Sequence, residues 1–326
     1  MELVLNTFGT SINRDNEAFV ITNKKGRQRV PVEGVDSVQI GRGVQITSDA
    51  ILLAIEHEID VLFMERGGMP GGRVWSPRYG SISTIRKGQL NFLSGEGALQ
   101  WIKRVISEKI SNQQALLLMM DSDSSVARRR RETAIARIER YRQKVEAVEG
   151  ATVGECAPML RGWEGSASRI YFEAYSAFLP ERYRFEARSQ HPALDPVNAL
   201  LNYGYGLLYG RIEGCLIRAG IDPYVGVLHR DNYNRPVLVY DVIERYRIWV
   251  DFVVAHLVCQ HVVTDDLYSV QQDGSCWLES LGRKVLIQSV NDYLDEVVDI
   301  DGVPRSRATH IMLYTQRMAQ MFKKYL

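Results

Sequence analysis

Cysteine is scarce and scattered. Four occur in 326 residues, Cys156, Cys215, Cys259 and Cys276, and no two form a CxxC pair. That spacing fits reduced thiols in a cytoplasm better than a disulfide framework or a thiolate zinc site. An excess of charge is missing too: 40 Lys and Arg stand against 39 Asp and Glu, for a net charge of +1. Bulk charge therefore points to no nucleic acid, membrane or acidic partner. A nucleic-acid binder of this composition must sort its charge into patches. No uninterrupted apolar run approaches the roughly 18 residues of a membrane span. The opening "MELVLNTFGT" has no basic stretch followed by an apolar one, so no signal peptide is expected. The expectation is a soluble cytoplasmic protein with no membrane partner, long enough for two domains.

What is present changes along the chain. Through residue 76, short β-branched or aromatic runs recur: "LVLNTF", "AFVIT", "DSVQI", "DVLFM" and "RVWS". Turn chemistry in "NKKG", "VEG" and "ERGGMPGG" separates them. One helix interrupts, "DAILLAIEHE", with Ser48 as its expected N-cap. The stretch around "SPRYGSISTIRKGQL" reads as a linker over 77–92. Beyond it, apolar residues recur at helical spacing. Helices are predicted near 94–120 (capped by Ser94), 124–148, 164–179, 196–219, 236–262, 279–298 and 305–325. The fold class is therefore α+β in two domains. A β-rich, sandwich- or barrel-like domain over 1–76 precedes an all-α domain over 93–326.

One predicted helix, "VARRRRETAIARIERYRQK", is strongly basic: Arg128, Arg129, Arg130, Arg131, Arg137, Arg140, Arg142 and Lys144 face only Glu132 and Glu139. Such a helix can lie along a phosphate backbone, each guanidinium offering a planar fork of donors. A solvated helix face gives the same pattern.

The segment "PVLVYDVIERYRIWVDFVVAHLVC" reads as a single helix, apolar around nearly its whole surface, with Pro236 in its first turn. It nevertheless carries Asp241, Glu244 and Asp251, and buried carboxylates need a charge partner or a metal. Asp241 can reach Arg245, and Arg247 can reach Asp251, both at i+4. Glu244 has only Arg247 at i+3. In "GWEGSASRIYFEAYSAF", Glu164 lies within about 60° of the stripe Ala167, Ser168, Tyr171, Tyr175 and Phe178, so it begins on the inward face. The alternative is a helix-start acid favoured by the dipole. In "GVLHRDNYNRP", His229 ends an apolar run just ahead of Asp241, and the loop Arg230–Arg235 can fold it back over that helix. Glu164, His229 and Glu244 together make a workable divalent-metal site. Carboxylates suit Mg2+ or Mn2+, and the imidazole tilts the choice towards Mn2+. Local ion pairs and a merely hydrogen-bonded histidine explain the same residues without a metal.

Several blocks in order also carry a resemblance. "EKISNQQALLL" is similar to a Lys-Ile-x-Asn-Gln element, and "EGSASRIYF" to a Glu-Gly block with a following Arg and aromatic pair. "DPVNALLNYGYGLLYGRIEGCLIRAGIDPYVGVLH" resembles an Asp-Pro-x-Asn-Ala-x-Leu helix leading to a Gly-x-x-His loop, and "YDVIERYRIWVD" an Asp-x-x-Glu helix. The chain resembles the family of CRISPR-associated protein one, the integrase of CRISPR adaptation, over nearly its whole length. The resemblance implies an N-terminal β domain that dimerises, a helical catalytic domain, a homodimer, and CRISPR-associated protein two bridging two dimers. It places the metal ligands on Glu164, His229 and Glu244, with Asp241 beside them holding a bound water or orienting His229. The cofactor implied is Mg2+ or Mn2+. The activity implied is metal-dependent DNA strand transfer, in which the 3′-hydroxyl of a prespacer attacks a phosphodiester of the CRISPR repeat; endonuclease cleavage is the hydrolytic counterpart. Arg169 and Arg188, with Arg128, Arg129 and Arg131 of the basic helix, are the candidate DNA contacts. The alternative is a non-catalytic nucleic-acid-binding scaffold of the same adaptation complex, its acids serving only as ion pairs. A metal hydrolase of small phosphate esters would leave the basic helix without a ligand.

Overall fold

Among the described residues, short runs near the N-terminus, most of them rich in β-branched residues, form eight strands: β1 (Glu2–Leu5), β2 (Ser11–Arg14), β3 (Ala18–Asn23), β4 (Gly26–Pro31), β5 (Ser37–Ile40), β6 (Gln45–Ile46), β7 (Asp60–Met64) and β8 (Pro70–Arg73). The computed structural model describes residues 2–35, 37–65, 70–74, 83–121, 124–229 and 235–326. The strands make two four-stranded sheets, ordered β1-β5-β7-β8 and β4-β3-β2-β6. β1, β5 and β7 run parallel, and the crossover from β5 to β7 that a parallel pair requires passes through β6 and helix α1 (Ser48–Glu56). Residues of both sheets, among them Ile12, Phe19, Val38, Ile40 and Val61, share one core with Leu53 and Ala54 of α1. The N-cap of α1 is Thr47, whose hydroxyl accepts from the Ala50 N–H at 3.4 Å, and Ser48 is the first helical residue.

The chain divides into two units, Met1–Ser81 and Ile82–Leu326. Much of the expected linker is helix. α2 (Ser83–Leu93) buries Ile85, Gly88, Gln89 and Phe92 on one face; residues 77–82 lie outside the described ones. Gly88, inside the expected linker, is there for close approach: a Cβ on it would stand 2.0 Å from the Phe322 carbonyl oxygen.

Among the described residues, eight more α-helices build the second unit: α3 (Glu96–Met119), α4 (Ser125–Ala147), α5 (Val153–Ala177), α6 (Pro196–Arg218), α7 (Val237–Ile243), α8 (Arg247–Cys259), α9 (Ser280–Asp295) and α10 (Arg307–Phe322). α6 is its buried centre. Asp195 caps it by accepting from the Asn198 N–H at 2.8 Å, and Pro196 opens it. The N-cap of α3 is Gly95 rather than Ser94, and α5 starts well upstream of Glu164 and runs through Pro158.

The unit is not all-α. Two hairpins, β9 (Tyr268–Val270) with β10 (Cys276–Leu278) and β11 (Val297–Ile300) with β12 (Val303–Ser306), interrupt the helices. Their strands are too short to show alternation, but the turns carry their signature. Asp301 and Gly302 both have positive φ, 56° and 76°, the geometry that Asp-Gly supplies in a two-residue hairpin. The expected helix over 236–262 is also broken. Between α7 and α8 the N–H groups of Arg245 and Tyr246 bond three residues back, to Val242 and Ile243. The Arg245 carbonyl is met instead by the Asn112 amide of α3 at 3.3 Å.

Candidate active site

Asp241 on α7 is fully buried. It does not pair with Arg245, which binds Glu108 and stacks 4.4 Å over the Tyr314 ring. The turn before α7 wraps over the carboxylate instead. The N–H groups of Val227 (2.6 Å), Leu228 (3.1 Å) and His229 (3.3 Å) donate to its oxygens. The His229 ring joins them through Nδ1 at 2.7 Å. Gly226 makes this turn possible, since a Cβ there would lie 2.4 Å from the His229 carbonyl oxygen. Arg161 of α5 ties the same turn down by donating to the Leu228 carbonyl at 3.3 Å. Burial opposes charging of His229, but the hydrogen bond and charge of Asp241 outweigh it and raise its pKa above the ordinary value. With Nδ1 engaged by the carboxylate, Nε2 is the ring atom left for chemistry. The loop beyond His229, expected to bring it over the helix, lies outside the described residues up to Arg235; the contact with Asp241 is made by 227–229 themselves.

Glu164 lies mid-way along α5, not at its start, so the helix dipole does not account for it. Its Oε1 accepts from Ser168 Oγ at 3.0 Å and from Lys109 Nζ of α3. The same ammonium lies 2.5 Å from Glu244 Oε2, and Glu244 Oε1 pairs with Arg247 Nε at 2.9 Å. Burial raises the pKa of Glu244, but Arg247 and Lys109 beside it prevail and hold it down to about 2. Burial works against the Lys109 charge, and the two glutamates overcome it and push its pKa up. Arg247 is the i+3 partner that the spacing offered to Glu244, whereas Lys109 was not expected at the site. The signal for Lys109 was the block "EKISNQQALLL", whose Asn112 closes the α7–α8 break and whose Gln113 donates to Ser168 Oγ at 3.5 Å.

Lys109, Glu164, Ser168, Arg169, Glu244 and Asp251 line a cleft of about 470 Å³. Arg247 does not pair with Asp251 as the i+4 spacing suggested. Asp251 takes hydrogen bonds from the Tyr171 hydroxyl at 2.9 Å and from the Tyr205 hydroxyl. Its burial raises its pKa to about 6 despite those bonds.

The candidate DNA-contacting arginines separate into two kinds. Arg169 is exposed at the cleft, and Arg128 and Arg129 are exposed on α4. Arg129 lines a second depression of about 740 Å³ with Arg130, Arg137 and Arg184. Glu173 and Glu186 border both depressions. By contrast, Arg131 is committed to the fold: it donates to the Met120 carbonyl at 2.8 Å and stacks 5.7 Å from the Phe178 ring. Arg188 is fixed likewise, by Asn198, by Asn202 at 2.8 Å and by the rings of Phe172 and Tyr205. Arg142 is taken by Glu139 and Glu146.

A profile of the family "CRISPR associated protein Cas1" matches residues 3–292. The chain belongs to the Cas1 family. A relative, the CRISPR-associated endonuclease Cas1 1 of Archaeoglobus fulgidus, is 31% identical to it over 97% of this chain and 94% of its own. Among solved structures, a casposase bound to integration product matches 99% of this chain and 90% of its own with a TM-score of 0.83 at 20% identity. A chain of a Cas6-RT-Cas1–Cas2 complex matches 99% of this chain with a TM-score of 0.83 at 22% identity, and the present chain spans 35% of that one.

In this Cas1-family chain Glu164 and Glu244 converge on one cationic point, while His229 stands to one side on Asp241. Among the described residues, His229 does not line the cleft, and no three His, Cys, Asp or Glu side chains converge closely enough to hold a metal ion. The donor chemistry still suits a divalent cation. Two carboxylates already share one positive charge, with Lys109 Nζ 2.5 Å from Glu244 Oε2 and in contact with Glu164 Oε1 as well. The imidazole is oriented by a buried carboxylate, as metal-ligating histidines usually are. Among the described residues no helix is long and apolar enough to cross a membrane.

Proposed function

We propose that the chain is a metal-dependent DNA endonuclease and strand-transfer integrase of CRISPR adaptation, acting at the cleft of Glu164 and Glu244. The observation that carries this reading is the convergence of two carboxylates from α5 and the α7–α8 break at the floor of an open cleft with an exposed arginine at its edge. Glu164, Glu244 and His229 would hold Mg2+ or Mn2+. When bound, such a cation neutralises charge on the scissile phosphate and acidifies the attacking hydroxyl. The protein's own groups do the rest. Arg247 holds one oxygen of Glu244 and so aims the other, Asp241 fixes His229 with Nε2 outward, and Arg169 meets the backbone. In strand transfer the 3′-oxygen of a prespacer forms one P–O bond as the repeat strand's P–O bond breaks, and its proton leaves with the displaced strand's oxygen. With water as nucleophile the same site cleaves DNA.

The partners in this reading are prespacer and repeat DNA, a second copy of the chain, and Cas2 bridging two dimers. A Cas1–Cas2 complex and a casposase holding an integration product among the fold's neighbours support it. The place of action would be the cytoplasm. The test is half-site integration into a supercoiled plasmid bearing a repeat, with and without Cas2. Glu164→Ala and His229→Ala are expected to abolish strand transfer while leaving thermal unfolding cooperative. Full activity in either variant removes that residue from the site. The salt links of Glu164 and Glu244 to Lys109 favour a second reading, a DNA-binding scaffold without catalysis. Calorimetry with Mn2+ separates the two, since the scaffold binds no Mn2+ that Glu244→Gln abolishes.

A further inference from the structure

Lys109 sits where a metal would be wanted. It is 9% exposed, and its ammonium touches Glu164 and Glu244 together. We infer that Lys109 is a displaceable counter-ion: it holds Glu164 and Glu244 together before a divalent cation binds, and it gives up that position when one arrives. The inference rests on the reading of those two glutamates as cation ligands, and it adds a residue that neither charge pattern nor ligand spacing identifies.

The geometry distinguishes Lys109 from the other cation of the site. Arg247 is stacked 4.7 Å over the Tyr205 ring, and its Nε lies 2.9 Å from Glu244 Oε1, so a ring and a charge together set its position. Lys109 is a point charge on a flexible stem. Its ammonium lies 2.5 Å from Glu244 Oε2 and turns freely about its last bond, so no ring or planar fork fixes it there. It also borders the 470 Å³ cleft, which gives its ammonium room to move without unpacking α3. Replacing one positive charge by two at a point shared by two carboxylates is favoured by Coulomb's law, and the displaced ammonium is re-solvated in the cleft. Two consequences follow. The cation must compete with Lys109, so its affinity is lower than the carboxylates alone would give. Without a cation, Lys109 is what keeps two neighbouring carboxylates from repelling each other.

The experiment is calorimetric titration of the full chain with Mn2+, together with thermal unfolding in EDTA and in Mn2+. It compares wild type with Lys109→Met, Lys109→Gln, Glu164→Gln and Glu244→Gln. Both Lys109 variants are expected to bind Mn2+ at least about tenfold more tightly than wild type. Both should melt lower in EDTA and gain more from Mn2+ than wild type gains. Mn2+ binding that is unchanged or weaker in the Lys109 variants overturns the inference, as does an unchanged melting temperature in EDTA. A Lys109 variant that folds only with Mn2+ supports it, and one unfolded both with and without Mn2+ overturns it. Loss of Mn2+ binding in the two glutamate variants, with no tightening in the lysine ones, sinks the counter-ion and leaves the ligands standing. Binding that ignores Glu164→Gln and Glu244→Gln sinks the ligand assignment itself.

Discussion

Asp241 and Glu244 are neighbours on one face by sequence spacing, yet the fold buries them by opposite means. Asp241 is neutralised by three backbone N–H groups and one imidazole, none of which can leave without unmaking the turn that holds them. Glu244 is neutralised by two side-chain cations beside an open cleft. The first arrangement fixes a carboxylate permanently and uses it to aim His229. The second keeps a carboxylate charged by one fixed cation, Arg247, and one on a flexible stem, Lys109, which suits a cation-binding group.

Replacing each acid puts this contrast to the test. Asp241→Ala leaves buried amides and a ring nitrogen unpaired, and is expected to lower stability by about 3–5 kcal/mol in urea denaturation. Glu244→Gln should cost only about 1–2 kcal/mol, because Lys109 can turn into the cleft, while strand transfer is lost. Equal losses in the two variants would show that the two sites are equally rigid and break the comparison.

Asp251 sharpens the same contrast through pH. Burial comes first among the influences on it and raises its pKa from 3.8 to about 6, so its ionised form is disfavoured in the folded protein. Folding therefore gains stability as pH falls through 6 towards 4, while the unfolded chain is still ionised. Glu244 works in the other direction. Its pKa falls from 4.5 to about 2, so its contribution is present above 4.5 and fades as pH drops towards 2. His229, its pKa raised by Asp241, also stabilises on acidification, so the useful quantity is a difference between variants. Between pH 7 and 5, wild type should gain about 1 kcal/mol relative to Asp251→Asn. A difference that is flat across that range would mean that Tyr171 and Tyr205 keep Asp251 ionised.

The acids were legible in the sequence because a carboxylate on an apolar face is an anomaly whatever the fold. Of their partners only Arg247, three residues after Glu244, was legible with them. Local spacing offered Arg245 to Asp241 and Arg247 to Asp251, but a break after Ile243 rotated one helix into two and gave Asp241 to a turn, Asp251 to two tyrosines and Glu244 to α3. Nothing within the helix announces that break, because the carbonyl it frees is satisfied by Asn112, distant in sequence. In the same way, Gly88 looked like a linker residue until α2 met the Phe322 carbonyl. The hairpins were missed because their strands are three or four residues long, although the Asp-Gly turn at 301–302 was in plain view. Local chemistry was readable wherever it was self-contained, and it failed where a long-range contact decided the outcome.

The smallest expected effect concerns the arginines, which repeat the contrast between fixed and exchangeable partners. Arg188 is held by two asparagines and two rings, whereas Arg169 is exposed at the cleft. Arg169→Ala should leave thermal unfolding unchanged and weaken DNA binding a few-fold across sequences, with the salt slope reduced by about one. Arg188→Ala should instead lower stability by about 1–2 kcal/mol, through unpaired amides and lost stacking. Its salt slope should not change. A reversed result, with Arg188 changing the slope and Arg169 the stability, would mean that DNA pulls Arg188 out of its cage. The exchangeable cation at this cleft would then be an arginine beside α6, not the residue at its mouth.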